Sequence, residues 1–163
     1  MVVRLLALVL ALFGSACSGS PSSSTAQADG VLAALAQPES VELVALHPYP
    51  HEIEEQDGPR FHGYGILGQT ELTDPEKAEA LIALIEEGIE ASDGRVAACF
   101  NPRHGLTVTT ADAVWDFVIC YECLSMQVYR DGERDEGHRT AESVEPQVTA
   151  IFLAAGLSMH RDA

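Results

Sequence analysis

Apolar residues recur along this chain in three spacings, and each spacing predicts a different element. The first is an unbroken run from Leu5 to Phe13. Its nine residues fall far short of the roughly twenty needed to span a bilayer. The second is helical: Ala78, Leu81, Ile82, Ile85 and Ile89 place one apolar stripe on a helix that opens at Pro75. Thr73 and Glu76 have the spacing of a capping box, and Ser92-Asp93-Gly94 reads as the stop. A second stripe, Val148, Ile151, Phe152 and Ala155, predicts a last helix capped by Ser143 and ended by Gly156. The third spacing has a period of two. It predicts strands over Val41–Leu46, Phe61–Leu72, Val96–Phe100, Leu106–Thr110, Val114–Tyr121 and Leu124–Tyr129.

Between these elements the chain is punctuated by turn residues. His47–Arg60 carries three prolines and an Asp-Gly pair and reads as a loop. Prolines between His47 and His51 forbid the helix that would turn that spacing into a metal signal. NPRHG and ADA are short connections, and DGERDEGH (131–138) is a charged loop. Val31–Ala36 has room for one helical turn. The predicted order is β-β-α-β-β-β-β-α, an α+β fold in which an antiparallel β-meander sheet carries helices packed on one face. Gly63-x-Gly65-x-x-Gly68 matches a nucleotide-loop pattern, but no helix follows it. The glycines are better read as bulges or close backbone approaches.

The front of the chain is an address. Arg4, the apolar run and the small residues Gly14, Ser15 and Ala16 make a signal peptide over residues 1–16. Ser15-Ala16-Cys17 resembles the lipobox of bacterial lipoproteins, with Gly14 standing where a leucine is usual. The resemblance implies that Cys17 becomes the lipidated N-terminus, acylated with palmitate-like chains after cleavage. Because Ser18 rather than Asp follows, it also implies the cell outer membrane as destination. Gly14-Ser15-Ala16 equally fits an ordinary cleavage site for secretion or a periplasmic location. Residues 17–37 then form the lipidated cysteine and a Ser/Pro-rich tether, and 38–163 a single small domain.

Charge narrows the partners. The chain has 163 residues and a net charge of −16, and losing the leader removes only Arg4. Clustered Lys and Arg are what nucleic acid requires, so nucleic acid is excluded as a partner. Docking on anionic lipid through protein charge is excluded for the same reason. The expected membrane contact is the lipid anchor, with a protein or small-molecule partner left open.

Cysteine supplies the candidate chemistry. Of four cysteines, three lie at 99, 120 and 123. With Cys17 lipidated, the remaining three cannot all pair within one chain. Cys99-x4-His104 and Cys120-x2-Cys123 together offer the ligand types of a Cys3His zinc site. Disulfides between Cys120 and Cys123, or Cys99 and Cys120, fit an oxidising compartment. A working thiol pair, with Arg103 or His104 lowering a thiol pKa, is a third reading, and buried inert cysteines a fourth. His62 is a possible accessory, and Arg103 and His104 could equally decorate a hairpin tip. Ser/His/Asp catalysis has no support, since no G-x-S-x-G occurs.

Phe61-His62-Gly63 through Leu67-Gly68, Cys99 through Gly105, and Ile119 through Cys123 resemble the shared marks of a group of uncharacterised bacterial exported proteins. That resemblance implies a common fold and cluster and no reaction. The expectation is a non-catalytic binding or envelope-associated module whose Cys/His cluster stabilises the sheet. The alternative is metal or thiol-redox activity through the same residues.

Overall fold

A computed structural model describes residues 31, 35, 36, 38–50 and 58–161. The expected leader, Cys17 and the expected 17–37 tether apart from residues 31, 35 and 36 lie outside the described residues, as do His51 and the rest of 51–57. The fold is α+β, with every strand pairing antiparallel.

Strand β1 (Ser40–His47) lies between β3 (Tyr64–Glu71) and β4 (His104–Thr109). Both neighbours run antiparallel to β1, so β3 and β4 are parallel to each other and need a crossover rather than a hairpin. Helix α1 (Pro75–Glu90) supplies it. Beyond β4 the chain is a meander: β5 (Val114–Cys120) pairs with β4, and β6 (Ser125–Arg130) with β5. Two-residue strands complete the sheet: β2 (Arg60–Phe61) beside β3, and β7 (Glu133–Arg134) and β8 (His138–Arg139) beside β6. A 3-10 turn (Glu142–Val144) leads into α2 (Glu145–Ala154).

Two cores lie on the two faces of the sheet. Leu43, Leu106, Val108, Phe117, Ile119 and Val128 point toward Leu81, Ile85, Val148 and Phe152 of the helices. On the other face Val44, Leu46 and Val118 are covered by Phe61, Tyr64, Ile66, Phe100 and Tyr129. Val31 and Leu35 are helical and buried in the first core. Among the described residues no helix is long and apolar enough to cross a membrane.

Several sequence expectations change in detail. Phe61–Leu72 is not one strand, because His62 and Gly63 take φ of 48° and 93° and fold it into a two-residue hairpin turn. Val96–Phe100 is not a strand either. Both edges of β4 are already taken by β1 and β5, so the alternating segment finds no ladder, and its backbone contributes one bond from Ala97 N–H to the Cys123 carbonyl. The 131–138 loop instead contains β7 and the start of β8. The cap of α1 is Asp74, whose Oδ1 accepts from Glu76 N–H at 3.1 Å and Lys77 N–H at 3.4 Å. Helix α2 has no side-chain cap from Ser143, since the 3-10 turn feeds straight into it.

Candidate functional site

The three cysteines meet at one end of the β5–β6 hairpin. Cys120 is the last residue of β5 and pairs in register with Ser125. Four residues, Tyr121 to Leu124, reverse the chain, with Leu124 at φ 56° and its N–H on the Tyr121 carbonyl at 3.0 Å. That turn brings the Cα atoms of Cys120 and Cys123 to 5.1 Å, and the two are joined as a disulfide. Cys123 N–H also donates to Cys120 Sγ at 3.2 Å. Cys99 arrives from the irregular segment after α1. Its Sγ stands 2.9 Å from Cys123 Sγ, and Asn101 N–H donates to the same sulfur at 3.4 Å. Burial is asymmetric: Cys120 is 1% exposed and Cys123 0%, whereas Cys99 is exposed.

His104 goes elsewhere, for a reason of strand parity. It pairs with Ile119 across β4 and β5, so both side chains share the helix-facing side, and Cys120 as the next residue points the other way. His104 is 2% exposed and meets Thr149 Oγ1 of α2 at 2.9 Å through Nε2. Tyr121 and Phe152 approach it edge-on, with centroids 5.3 and 5.0 Å away. Burial, and then the Arg103 charge, hold its pKa down to about 3, so it is a neutral core imidazole. The Cys3His set is therefore not gathered around one point. Among the described residues no group of three or more His, Cys, Asp or Glu is arranged to hold a metal ion.

Arg103 is close to the turn. Its Nη1 donates to Glu122 Oε2 at 3.1 Å, and its carbonyl accepts from Leu46 N–H at 3.0 Å. It braces the turn between the two hairpin cysteines. Neighbouring Glu145 has its carboxyl pushed up by burial, with the Arg103 charge opposing.

His62 does not reach the sulfurs. From the β2–β3 turn its Nε2 meets Asp116 Oδ2 at 2.8 Å, and Thr107 Oγ1 donates to Asp116 Oδ1 at 2.6 Å. The imidazole stacks on Tyr129 at 3.6 Å between centroids and 14° between planes. Asp116 lies four residues before Cys120 on the same face of β5, roughly 13 Å away at strand rise. Thr107, Asp116, Tyr129, Glu122 and Thr149 were not singled out by the sequence. The one available signal was a carboxylate inside the apolar strand VWDFVIC.

The arrangement offers one disulfide, one exposed thiol in contact with it, and a separate polar clasp on the same sheet face. No protein-family model, no curated protein and no solved structure matches the chain.

Proposed function

We propose that this chain is an exported protein held to the bacterial envelope by lipid on Cys17, and that its α+β domain is a non-catalytic binding or envelope-associated module. In this reading the cysteine cluster fastens the irregular 95–103 segment to the sheet. The observation that carries it is the meeting of three sulfurs at one hairpin end in a chain whose fourth cysteine follows a signal-peptide pattern. A disulfide fits the oxidising side of a membrane. Its contribution is local: a bond closing a four-residue ring contributes about 2 kcal/mol by loop-closure entropy. Two acyl chains give a stable anchor where one would be marginal.

Fractionation of cells tests this. The intact chain is expected in the membrane fraction with its mass raised by acylation at Cys17 and lowered by the leader. Cys17→Ser is expected in the soluble periplasmic or secreted fraction. An unmodified Cys17 on an uncleaved or soluble chain overturns the anchor.

A further inference from the structure

The disulfide is buried and the thiol beside it is exposed, so a reagent in solution meets Cys99 before it meets Cys120 or Cys123. We propose that the three cysteines form a thiol–disulfide exchange relay in which Cys99 is the port through which an external thiol reaches the buried pair. The proposal rests on the reading that the domain is exported and its cluster oxidised.

The first step is internal. Ionised Cys99 Sγ attacks Cys123 Sγ, its contact at 2.9 Å. The Cys99–Cys123 bond forms, the Cys120–Cys123 bond breaks, and its electron pair leaves on Cys120 Sγ. The proton given up by Cys99 to water is matched by one that Cys120 takes. Oxidation state is unchanged, so no outside oxidant or reductant is needed. Leaving-group ability decides such steps, and a thiolate that accepts hydrogen bonds leaves more readily. Cys120 Sγ has that help from Cys123 N–H at 3.2 Å, while Asn101 N–H holds the central sulfur at 3.4 Å. The attack needs no diffusional encounter, because nucleophile and target already touch.

The second step is external. A thiol attacks the exposed Cys99 sulfur of the new bond, giving a mixed disulfide on Cys99 and releasing Cys123 as a thiol. A second thiol attacks the mixed disulfide and returns Cys99 to the free form. Two external thiols become one disulfide, and the protein's bond becomes two thiols. Run backward, the same steps carry oxidation inward. Cys123 is bonded in both internal states, so it is the hinge of the relay, and Cys99 and Cys120 alternate as the free thiol.

Full-length oxidised protein tests this in two ways. Alkylation with N-ethylmaleimide, followed by peptide mapping, is expected to label Cys99 chiefly, Cys120 in a minor fraction that grows with time, and Cys123 not at all. Reduction is then followed with glutathione in one arm and reduced thioredoxin in another. Cys99→Ser is expected to slow at least ten-fold in whichever arm reduces the wild type faster, and that arm identifies the source of the thiol. Cys120→Ser is expected to carry a Cys99–Cys123 disulfide. Equal reduction rates for wild type and Cys99→Ser in both arms would overturn the relay, as would labelling confined to Cys99 with two free thiols in Cys120→Ser. A Cys17→Ser chain that stays on the membrane refutes the anchor and leaves the relay standing, so the two failures are separable.

Discussion

At the scale of single residues, His104 shows how burial decides chemistry. As a ligand type it is unremarkable in sequence, beside an arginine and after a proline. In the fold it is a neutral ring packed between Tyr121 and Phe152 and tied to Thr149. Its folded pKa of about 3 lies below the roughly 6.5 of an unfolded histidine. Between those values the unfolded chain binds a proton that the folded one refuses. The stability that this group contributes is therefore complete above about pH 6.5 and is lost as pH falls toward 3, by at most about 1.4 kcal/mol per unit. His104→Gln can still bond Thr149 but cannot titrate. Its urea midpoint is expected to vary less with pH between 6.5 and 4 than that of the wild type. Parallel curves for the two proteins would assign the acid sensitivity to other groups. The cysteine count pointed to Cys99 and the Cys120-x2-Cys123 pair as one group, but the strand expected to carry Cys99 there is absent, and an irregular segment brings it to Cys123 instead. The separation of His104 from them was not legible. It depends on a register, His104 opposite Ile119, that no spacing within one strand reveals.

At the scale of elements, the long ones were legible because their apolar period is sustained. Helix α1 falls where its stripe predicts, and β1, β5 and β6 are displaced by a residue or so from their sequence ranges. The 96–100 segment was misread because alternation measures the readiness of a segment to pair and says nothing of whether a neighbour has an open edge. The Phe61–Leu72 reversal was hidden because His-Gly is a less frequent occupant of such a turn than Asn-Gly or Asp-Gly. Among the described glycines, Gly88 leaves the least room for a side chain. A Cβ built there would stand 2.6 Å from Thr140 Oγ1 and 3.1 Å from a Val144 methyl. Alanine would favour the helix by about 1 kcal/mol in isolation, yet overpacking a fixed contact costs about 1–3 kcal/mol. Gly88→Ala is thus expected to lower stability by about 1 kcal/mol in chemical denaturation. A more stable Gly88→Ala would mean that Thr140 and the 3-10 turn yield easily.

At the scale of the whole molecule, two balances matter. The first is charge. A net −16 on 163 residues repels itself, and modest salt screens that repulsion before it disturbs buried contacts. The urea midpoint is expected to rise when sodium chloride is increased from about 0.02 to 0.3 M, over roughly a fourfold shortening of the Debye length. A fall would mean that favourable surface pairs outweigh the net repulsion. The second balance is topological. A Cys99–Cys123 bond would close a ring of about 25 residues and contribute about 3.5 kcal/mol by the same loop-closure relation, against about 2 kcal/mol for the hairpin pair. Exchange between the two therefore changes how firmly the segment beside Arg103 is held.

The clasp of His62 on Asp116 and Tyr129 has its own consequence. It joins the β2–β3 turn to β5 and β6, past β1 and β4, a span of about 14 Å in a flat sheet, so the sheet must curl to make it. Among the described residues the curl is closed by this imidazole and by the apolar cover of Phe61, Tyr64 and Tyr129, with no backbone ladder across the seam. Parting that ring from its carboxylate would let the hairpin swing outward with every ladder bond intact, so the seam at residue 62 is where this domain would first breathe.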